Sequence, residues 1–380
     1  MYSLDDFGAM ISDSARFKAY AEAISRCVRP GNVVLEIGCG PAVFSLLACH
    51  AGAKRVYAIE TEDIIDVARQ VAVVNKFADR IHFFQGDSRR TELPERVNVI
   101  VSDIRGALPL FGGAVTSLRD AKQRFLAARG VMIPCRDVLK AAIIQADRIY
   151  SGIVSPWKTS AKDVELSIPL GLVLNSFHAV NVKPDQLMTE PEELCSLDYM
   201  RNPSVNASAS LKFRINRTGT AHGICVWFDT QLHDDVGFSS APGSPVRLYQ
   251  QLFLPWLEPV VIEEGQEILV TIHANLVGKE YLWRWETEIT GENGGKKVHF
   301  RQSTFEGANV SSRTLRRHAV DHVPVLTAEG EAERFLLGAM DGKASLEEIA
   351  KRAAKQFPEV YSSEEQAFQR ASELARVFSR

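Results

Sequence analysis

The sequence predicts an α/β domain with a parallel sheet, followed by an all-β domain and a small helical module. Three observations predict it. Over residues 29–138 short apolar runs alternate with helical segments. Over 139–300 the apolar runs are separated by Gly, Pro, Asn and Ser clusters, without long helices between them. Over 329–380 two Ser-x-x-Glu signatures each precede an amphipathic helical pattern.

Composition agrees with this division and removes other classes. A chain of 380 residues exceeds the ~100–200 of one ordinary domain. Its 46% hydrophobic and 24% charged residues are those of a globular chain. A net charge of -3 argues against a basic nucleic-acid coat. No apolar run approaches the ~20 residues that span a bilayer. The opening Met1-Tyr2-Ser3-Leu4-Asp5-Asp6 has neither the basic nor the apolar part of a secretory signal. These features predict a soluble cytoplasmic protein with no nucleic-acid or membrane partner. Cys27, Cys39, Cys49, Cys135, Cys195 and Cys225 form no C-x-x-C and no zinc-spaced cluster with His, so reduced core thiols and no metal site are expected. His222, His233 and His273 lie in or beside expected strands and read as structural.

Taking the elements in order, Phe17, Tyr20, Ala23 and Ile24 recur at helical spacing until Pro30-Gly31, which makes 1–28 an N-terminal helical segment. Strands are expected at 33–37, 56–60, 81–84 and 97–101, and helices at 42–51 and 64–75. Such alternation builds right-handed βαβ units. Beyond 138, strands are expected at 139–149, 177–182, 208–216, 223–229 and 267–273, giving a sandwich or barrel. Residues 301–328, with Arg313, Arg316 and Arg317, read as a linker. In the tail Ser345-Leu346-Glu347-Glu348 is a capping box, and Leu346, Ile349, Ala350, Ala353 and Phe357 share a face. A second signature, Ser362 to Glu365, opens a helix expected to turn Phe368, Ala371, Ala375 and Phe378 inward.

The chemistry concentrates in Val34-Leu35-Glu36-Ile37-Gly38-Cys39-Gly40-Pro41-Ala42, where a strand ends, a glycine turn follows and a helix begins. Lacking Cβ, Gly38 and Gly40 let backbone approach a ligand closely. Glu60 ends the second strand, 20 residues past Gly40, where an acid can bind both hydroxyls of a ribose. The third glycine of a dinucleotide turn is Val43 here, which disfavours a dinucleotide. Plainer readings exist: a tight turn without ligand, and a Glu60 that caps the helix beginning near Asp63.

Glu36-Ile37-Gly38-Cys39-Gly40-Pro41 resembles the first motif of class I S-adenosylmethionine (SAM) methyltransferases. The first 300 residues are similar to the protein arginine methyltransferases at further places: Met10-Ile11-x-Asp13-x-x-Arg16-x-x-x-Tyr20, Gly52 to Glu60, Leu93-Pro94-Glu95, Val226-Trp227-Phe228-Asp229 and Gln250-Gln251-Leu252-Phe253. The resemblance implies that family's order of helix, Rossmann-like SAM-binding domain and β-barrel, with SAM as cofactor. It puts Arg16 on the cofactor carboxylate. Glu36, Gly38, Cys39 and Gly40 fall in its methionine-binding motif, Glu60 and Thr61 at its ribose, and Asp87 and Ser88 at its adenine. Asp103 falls beside the methyl group. Arg89 replaces the family's acidic residue after Ser88. The resemblance also implies a homodimer joined by an arm, for which 157–175 is the candidate.

The match fails at the acceptor. The family clamps the substrate guanidinium with two glutamates, whereas Asp103 takes the place of the first and Gly112 of the second. The family's Thr-His-Trp loop corresponds to Val246-Arg247-Leu248. A fixed cation at Arg247 would repel a guanidinium by ~4 kcal/mol at 4 Å and an effective dielectric of ~20. Arg247 could equally neutralise Asp103, bind an anionic group of the substrate or form a surface ion pair. Asp103 is the candidate for orienting or deprotonating the acceptor, against the plainer role of a strand-end carboxylate. Tyr2 and Tyr20 are further pocket candidates. The sequence thus predicts a SAM methyltransferase acting on a non-standard acceptor on a peptide or small molecule. Arginine methylation through a rebuilt site and an inactive binding module are the alternatives. In the tail, Leu336-Leu337-x-x-Met340-Asp341-Gly342-Lys343-x-Ser345-Leu346-x-x-Ile349 resembles PqqD-like or winged-helix-like modules, which implies capture of a peptide leader; a plain helical cap is the alternative.

Overall fold

The computed structural model describes residues 2–158, 164–290, 298–309 and 311–379. They form two compact units, Met1–Ala308 and Asn309–Arg380. In the first, helix α1 (Leu4–Ser12) opens with a capping box between Ser3 and Asp6 and buries none of its residues. Asp13 caps α2 (Ser14–Cys27), which buries Tyr20, Ala23 and Ile24. A parallel sheet follows, in the order β3-β2-β1-β4-β5. It is formed by β1 (Val33–Ile37), β2 (Arg55–Glu60), β3 (Ile81–Gln85), β4 (Val97–Ser102) and β5 (Leu126–Ile133). Helices α3 (Val43–His50), α4 (Ile64–Val74) and α5 (Ala114–Phe125) connect them. Every residue of β1 is buried, as expected for a central strand covered on both faces.

The chain then changes to antiparallel pairing. Strands β6 (Arg136–Ile144), β7 (His178–Val180), β8 (Glu192–Asp198), β10 (Gly219–His233), β11 (Val236–Ser239) and β12 (Gln251–Ile262) form one sheet, in the order β7-β12-β10-β6-β8 with β11 on β10. A second sheet has the order β15-β14-β13-β9. Its strands are β9 (Ala207–Arg214), β13 (Glu267–Val277), β14 (Glu280–Ile289) and β15 (Val298–Ser303). Alternation along β14 turns Tyr281, Trp283, Trp285 and Ile289 into one core with Trp256 and Phe300.

Two expectations are corrected here. The strand expected over 139–149 stops at Ile144, and α6 (Asp147–Lys158) begins three residues later. With α7 (Ser167–Leu174) it interrupts a region expected to lack long helices. The signal was the pair Tyr150 and Val154, four residues apart and both buried. Of the candidate arm, 159–163 lie outside the described residues.

In the second unit, α8 (Ser312–Arg317) precedes α9 (Ala328–Ala339), α10 (Leu346–Gln356) and α11 (Glu364–Phe378). Val310, inside the expected linker, lies outside the described residues. The box at Ser345 forms, and Ile349, Ala350 and Ala353 are buried. The cap of α11 is Ser363 rather than Ser362. Ala371 is buried as expected, but its buried neighbours on that face are Ala367 and Leu374, while Phe368 and Phe378 are exposed.

Two buried ionisable side chains tie the first unit together. Glu36 on β1 faces α3, where the Ser45 amide donates to its Oε2 at 2.7 Å and the Ser45 hydroxyl donates as well. This satisfies an orphan amide of the helix start from the neighbouring strand. Burial raises the Glu36 carboxyl from its ordinary 4.5 to about 8. Arg105, in the loop after β4, is 1% exposed. Its Nη1 donates to Asp137 Oδ1 at 3.0 Å on β6 and to Thr230 Oγ1 at 2.6 Å on β10. Its Nη2 donates to Tyr20 Oη at 2.5 Å on α2 and to Asp103 Oδ1 at 2.9 Å. One guanidinium therefore joins the loop after β4, the first antiparallel sheet and the N-terminal helix.

Removing one partner of a buried ion pair leaves the other charged and desolvated. Asp137→Ala should cost about 3 kcal/mol and lower Tm visibly in a thermal melt; a change within ~0.5 kcal/mol would show that Arg105 is not clasped. Because the Glu36 carboxyl is raised, the stability it contributes is complete below its unfolded pKa and is lost as pH rises through about 8. Melts should show Tm falling from about pH 5 to about pH 8, and Glu36→Gln should flatten that fall. An unchanged slope in the variant would remove Glu36 as its cause.

Candidate functional site

A cavity of about 720 Å³ lies at the carboxyl ends of β1, β2 and β4, where open α/β sheets hold ligands. At one end the backbone turns at Gly38, whose φ is +72°, and a Cβ there would lie 2.5 Å from Ile104 Cγ2. At Gly40 a Cβ would lie 2.6 Å from Phe7 Cε1 of α1. The glycine turn is thus required twice, beneath the cavity and beneath the helix that borders it. Tyr2, Phe7 and Met10 bring that helix to the cavity wall.

Glu60 lines the cavity, and its carboxylate is held by its own turn, including the Thr61 hydroxyl at 3.2 Å. Its Oε2 accepts from the Gly40 amide at 2.9 Å, and its Oε1 from the amides of Thr61 and Glu62 at 2.7 and 3.2 Å. Beyond it lie Gly86, Asp87, Ser88 and Arg89. Arg89 forks onto Asp87, with Nε to Oδ1 at 3.0 Å and Nη2 to Oδ2 at 2.6 Å. That hydrogen bond holds the Asp87 carboxyl down at about 2.

Arg16, Gly38, Glu60, Thr61, Asp87, Ser88, Asp103 and Tyr2 line the cavity. Glu36, Cys39, Gly40, Tyr20 and Arg247 are not in its wall. Each has a physical reason. Glu36 is turned to Ser45. Cys39 is buried behind the turn, with its Sγ 3.6 Å from the Gly40 carbonyl oxygen. Gly40 is covered by Phe7. Tyr20 stacks on Phe44 at 4.5 Å and donates to the Ser102 carbonyl at 3.0 Å. The Arg247 side chain is exposed. Its backbone amide, with that of Leu248, donates at 2.8 Å to Asp13 Oδ2.

The remaining end of the cavity centres on Asp103, whose side chain is 4% exposed. Arg16 reaches its Oδ2 with Nε at 2.6 Å and Nη2 at 2.5 Å. Arg105 reaches its Oδ1 with Nη2 at 2.9 Å and Nε at 3.2 Å, and the Tyr249 hydroxyl donates to the same oxygen. A carboxylate has about four lone-pair sites, and all are taken. Burial alone would raise this carboxyl, but the guanidinium groups of Arg105 and Arg16 outweigh it and hold it at about 2. In this structure Asp103 is a buried carboxylate engaged by Arg16, Arg105 and Tyr249. The neutralising cation is Arg105 rather than Arg247. Besides Arg16 and Asp103, the cavity lining includes the uncharged Ile104, Ala107, Phe111, Ala179, Leu248 and Gln250.

Sequence reasoning missed Arg105, Asp137 and Tyr249. Arg105 stood two residues after Asp103, and an Arg within an apolar loop was its one visible signal. Asp137 and Tyr249 gave none, because they meet Arg105 and Asp103 only through the fold. Outside the cavity, Glu286, Glu288 and His299 bring three potential metal donors together on β14 and β15, with His299 Nε2 2.6 Å from Glu286 Oε1.

The comparisons with known proteins divide at the same place as the sheets. Residues 19–133 match the model of ribosomal protein L11 methyltransferase (PrmA), and residues 137–281 match the arginine methyltransferase oligomerization subdomain. Probable protein arginine N-methyltransferase 6 of Arabidopsis thaliana is 29% identical over 321 residues, covering 72% of this chain and 74% of that one. Protein arginine N-methyltransferase 2 of Mus musculus is 29% identical over 277 residues, covering 68% and 61%. In fold, the chain superposes on the Trypanosoma brucei PRMT1 enzyme-prozyme complex with AdoHcy at a TM-score of 0.71 and 21% identity, covering 77% of this chain and 95% of that one. It superposes on Arabidopsis thaliana protein arginine methyltransferase 10 at 0.68 and 21%, with the same coverage. With one model matching the α/β part, another most of the β part, and relatives named as methyltransferases across both, the chain is a SAM-dependent methyltransferase, similar in sequence and fold to the protein arginine methyltransferases.

Proposed function

We propose that this enzyme transfers the methyl group of SAM to an acceptor other than a protein guanidinium, carried on a peptide or small molecule. The observation that carries this reading is the saturation of Asp103 by two arginines and a tyrosine. A substrate guanidinium needs free carboxylate to offset its charge, and the wall beside Asp103 supplies none among the described residues.

The residues present fit the cofactor. Glu60, fixed by three backbone amides, would take the ribose hydroxyls. Gly38 would pass close to the methionine moiety, and Arg16, already turned into the cavity, would meet its carboxylate with the N–H groups that Asp103 and the Met10 carbonyl leave free. Asp87, Ser88 and Arg89 would border the adenine. The bound cofactor supplies a sulfonium methyl, so the protein's part is alignment of the acceptor along the S–CH3 axis. Glu36 supports this arrangement from behind, through α3. The 137–281 match supports reading the β part also as an assembly surface. The names of the relatives favour one second reading, arginine methylation through a rebuilt site.

Calorimetric titration with SAM and an assay with an arginine-glycine repeat peptide separate these. Wild type should bind SAM, and Glu60→Ala should weaken binding at least about tenfold through loss of charge-assisted hydrogen bonds. The peptide should yield no methylarginine. Methylarginine in the product would overturn the proposal in favour of the second reading, and undiminished SAM affinity in Glu60→Ala would remove the ribose assignment.

A further inference from the structure

We propose that Tyr249 is the group that orients the acceptor, and that the acceptor class is an uncharged N–H nucleophile carried on an apolar group. This rests on the methyl-transfer reading of the cavity.

Tyr249 lies in the cavity wall beside Asp103 and is 7% exposed. Its hydrogen is donated to Asp103 Oδ1. That carboxylate is ionised and held by two arginines, so the phenol cannot turn its proton elsewhere without leaving a buried charge short of a partner. The phenol oxygen therefore has only lone pairs to offer a ligand. The ring cannot swing away either. It stacks on Phe238 at 6.0 Å and 9°, and meets the edge of Phe228 at 5.0 Å and 76°. What the cavity presents there is a fixed hydrogen-bond acceptor in apolar surroundings.

The charges behind it cancel. Arg16 and Arg105 face Asp103 and Asp137, all buried. Beside Tyr249 a cationic acceptor finds no carboxylate other than the paired Asp103 among the described residues, and an anionic one, such as a carboxylate or thiolate, meets the lone pairs of Tyr249. A hydroxyl would need a base, and Asp103 has no free lone pair with which to act as one. An uncharged nitrogen with at least one hydrogen needs neither. Its N–H donates to Tyr249 Oη while its own lone pair is left for the methyl. As the N–CH3 bond forms, the S–CH3 bond breaks and its electron pair stays on sulfur. The positive charge passes from sulfonium to nitrogen, and the extra proton leaves that nitrogen for water once product departs.

The test uses the full chain with SAM at pH 8 and simple acceptors: aniline and imidazole as uncharged N–H probes, against benzylguanidine, benzoate and phenylmethanethiol. Formation of S-adenosylhomocysteine and of the methylated probe is followed. Turnover is expected with aniline or imidazole and with none of benzylguanidine, benzoate and phenylmethanethiol. Tyr249→Phe should lower kcat/KM for that probe by about tenfold or more, the loss of one orienting hydrogen bond, while calorimetric SAM affinity stays at the wild-type value. Preference for the guanidine, carboxylate or thiol, no turnover of either uncharged nitrogen, or full activity in Tyr249→Phe would overturn the proposal. Failure of the wild-type protein to bind SAM would show up separately and overturn the underlying reading as well.

Discussion

Arg105 is a guanidinium with no exposure to water worth the name, and five polar groups from five parts of the chain converge on or beside it. Asp103 follows β4, Asp137 lies on β6, Thr230 on β10, Tyr20 on α2 and Tyr249 just before β12. Phe228 and Phe238 lie 5.3 and 5.5 Å from its carbon, adding cation–π contacts in a desolvated place. A buried cation of this kind is tolerated only with a complete set of partners. The α/β part and the antiparallel part must therefore dock so that all of them arrive together.

The same constraint shapes the site. Because Arg105 occupies one oxygen of Asp103 and Arg16 the other, the carboxylate at the end of β4 is committed before any substrate arrives. Arg16 in turn is anchored, so its position toward the cofactor follows from the clasp as well as from α2. Asp13 extends this order to the rim, capping α2 at the Arg16 amide while accepting the amides of Arg247 and Leu248. The cofactor end depends on a different device. There a glycine turn and a carboxylate fixed by backbone amides form a cradle that needs no side-chain network.

That division explains what was legible in the sequence. The strands from Val33 to Ser102 were readable because both faces of a central parallel strand are apolar, and the cavity-lining residues Gly38, Glu60, Thr61, Asp87 and Ser88 because they are local to strand ends. Glu36 and Cys39 share that motif, but their contacts point away from the cavity, which no spacing argument can tell. The helix at Asp147–Lys158 was hidden by the apolar run before it, and the one-residue slip at Ser363 by two adjacent serines that could each cap. Arg247 looked like the cation beside Asp103 because it falls on the right loop, yet the fold turns its side chain outward and brings Tyr249 in instead. Pairings such as Arg105 with Asp137, 32 residues apart, arise only from tertiary docking.

The most direct measurement of the central claim is a proton–nitrogen NMR spectrum of the arginine Nε–H groups, with Arg105 assigned by its loss in Arg105→Lys. If Arg105 is permanently bonded to Asp103, its Nε–H resonance persists with slow solvent exchange and stays unchanged on addition of SAM. An Arg105 signal that exchanges as fast as those of surface arginines, or that shifts when an arginine peptide is added, would contradict the account, because Asp103 would then be free to hold a substrate guanidinium.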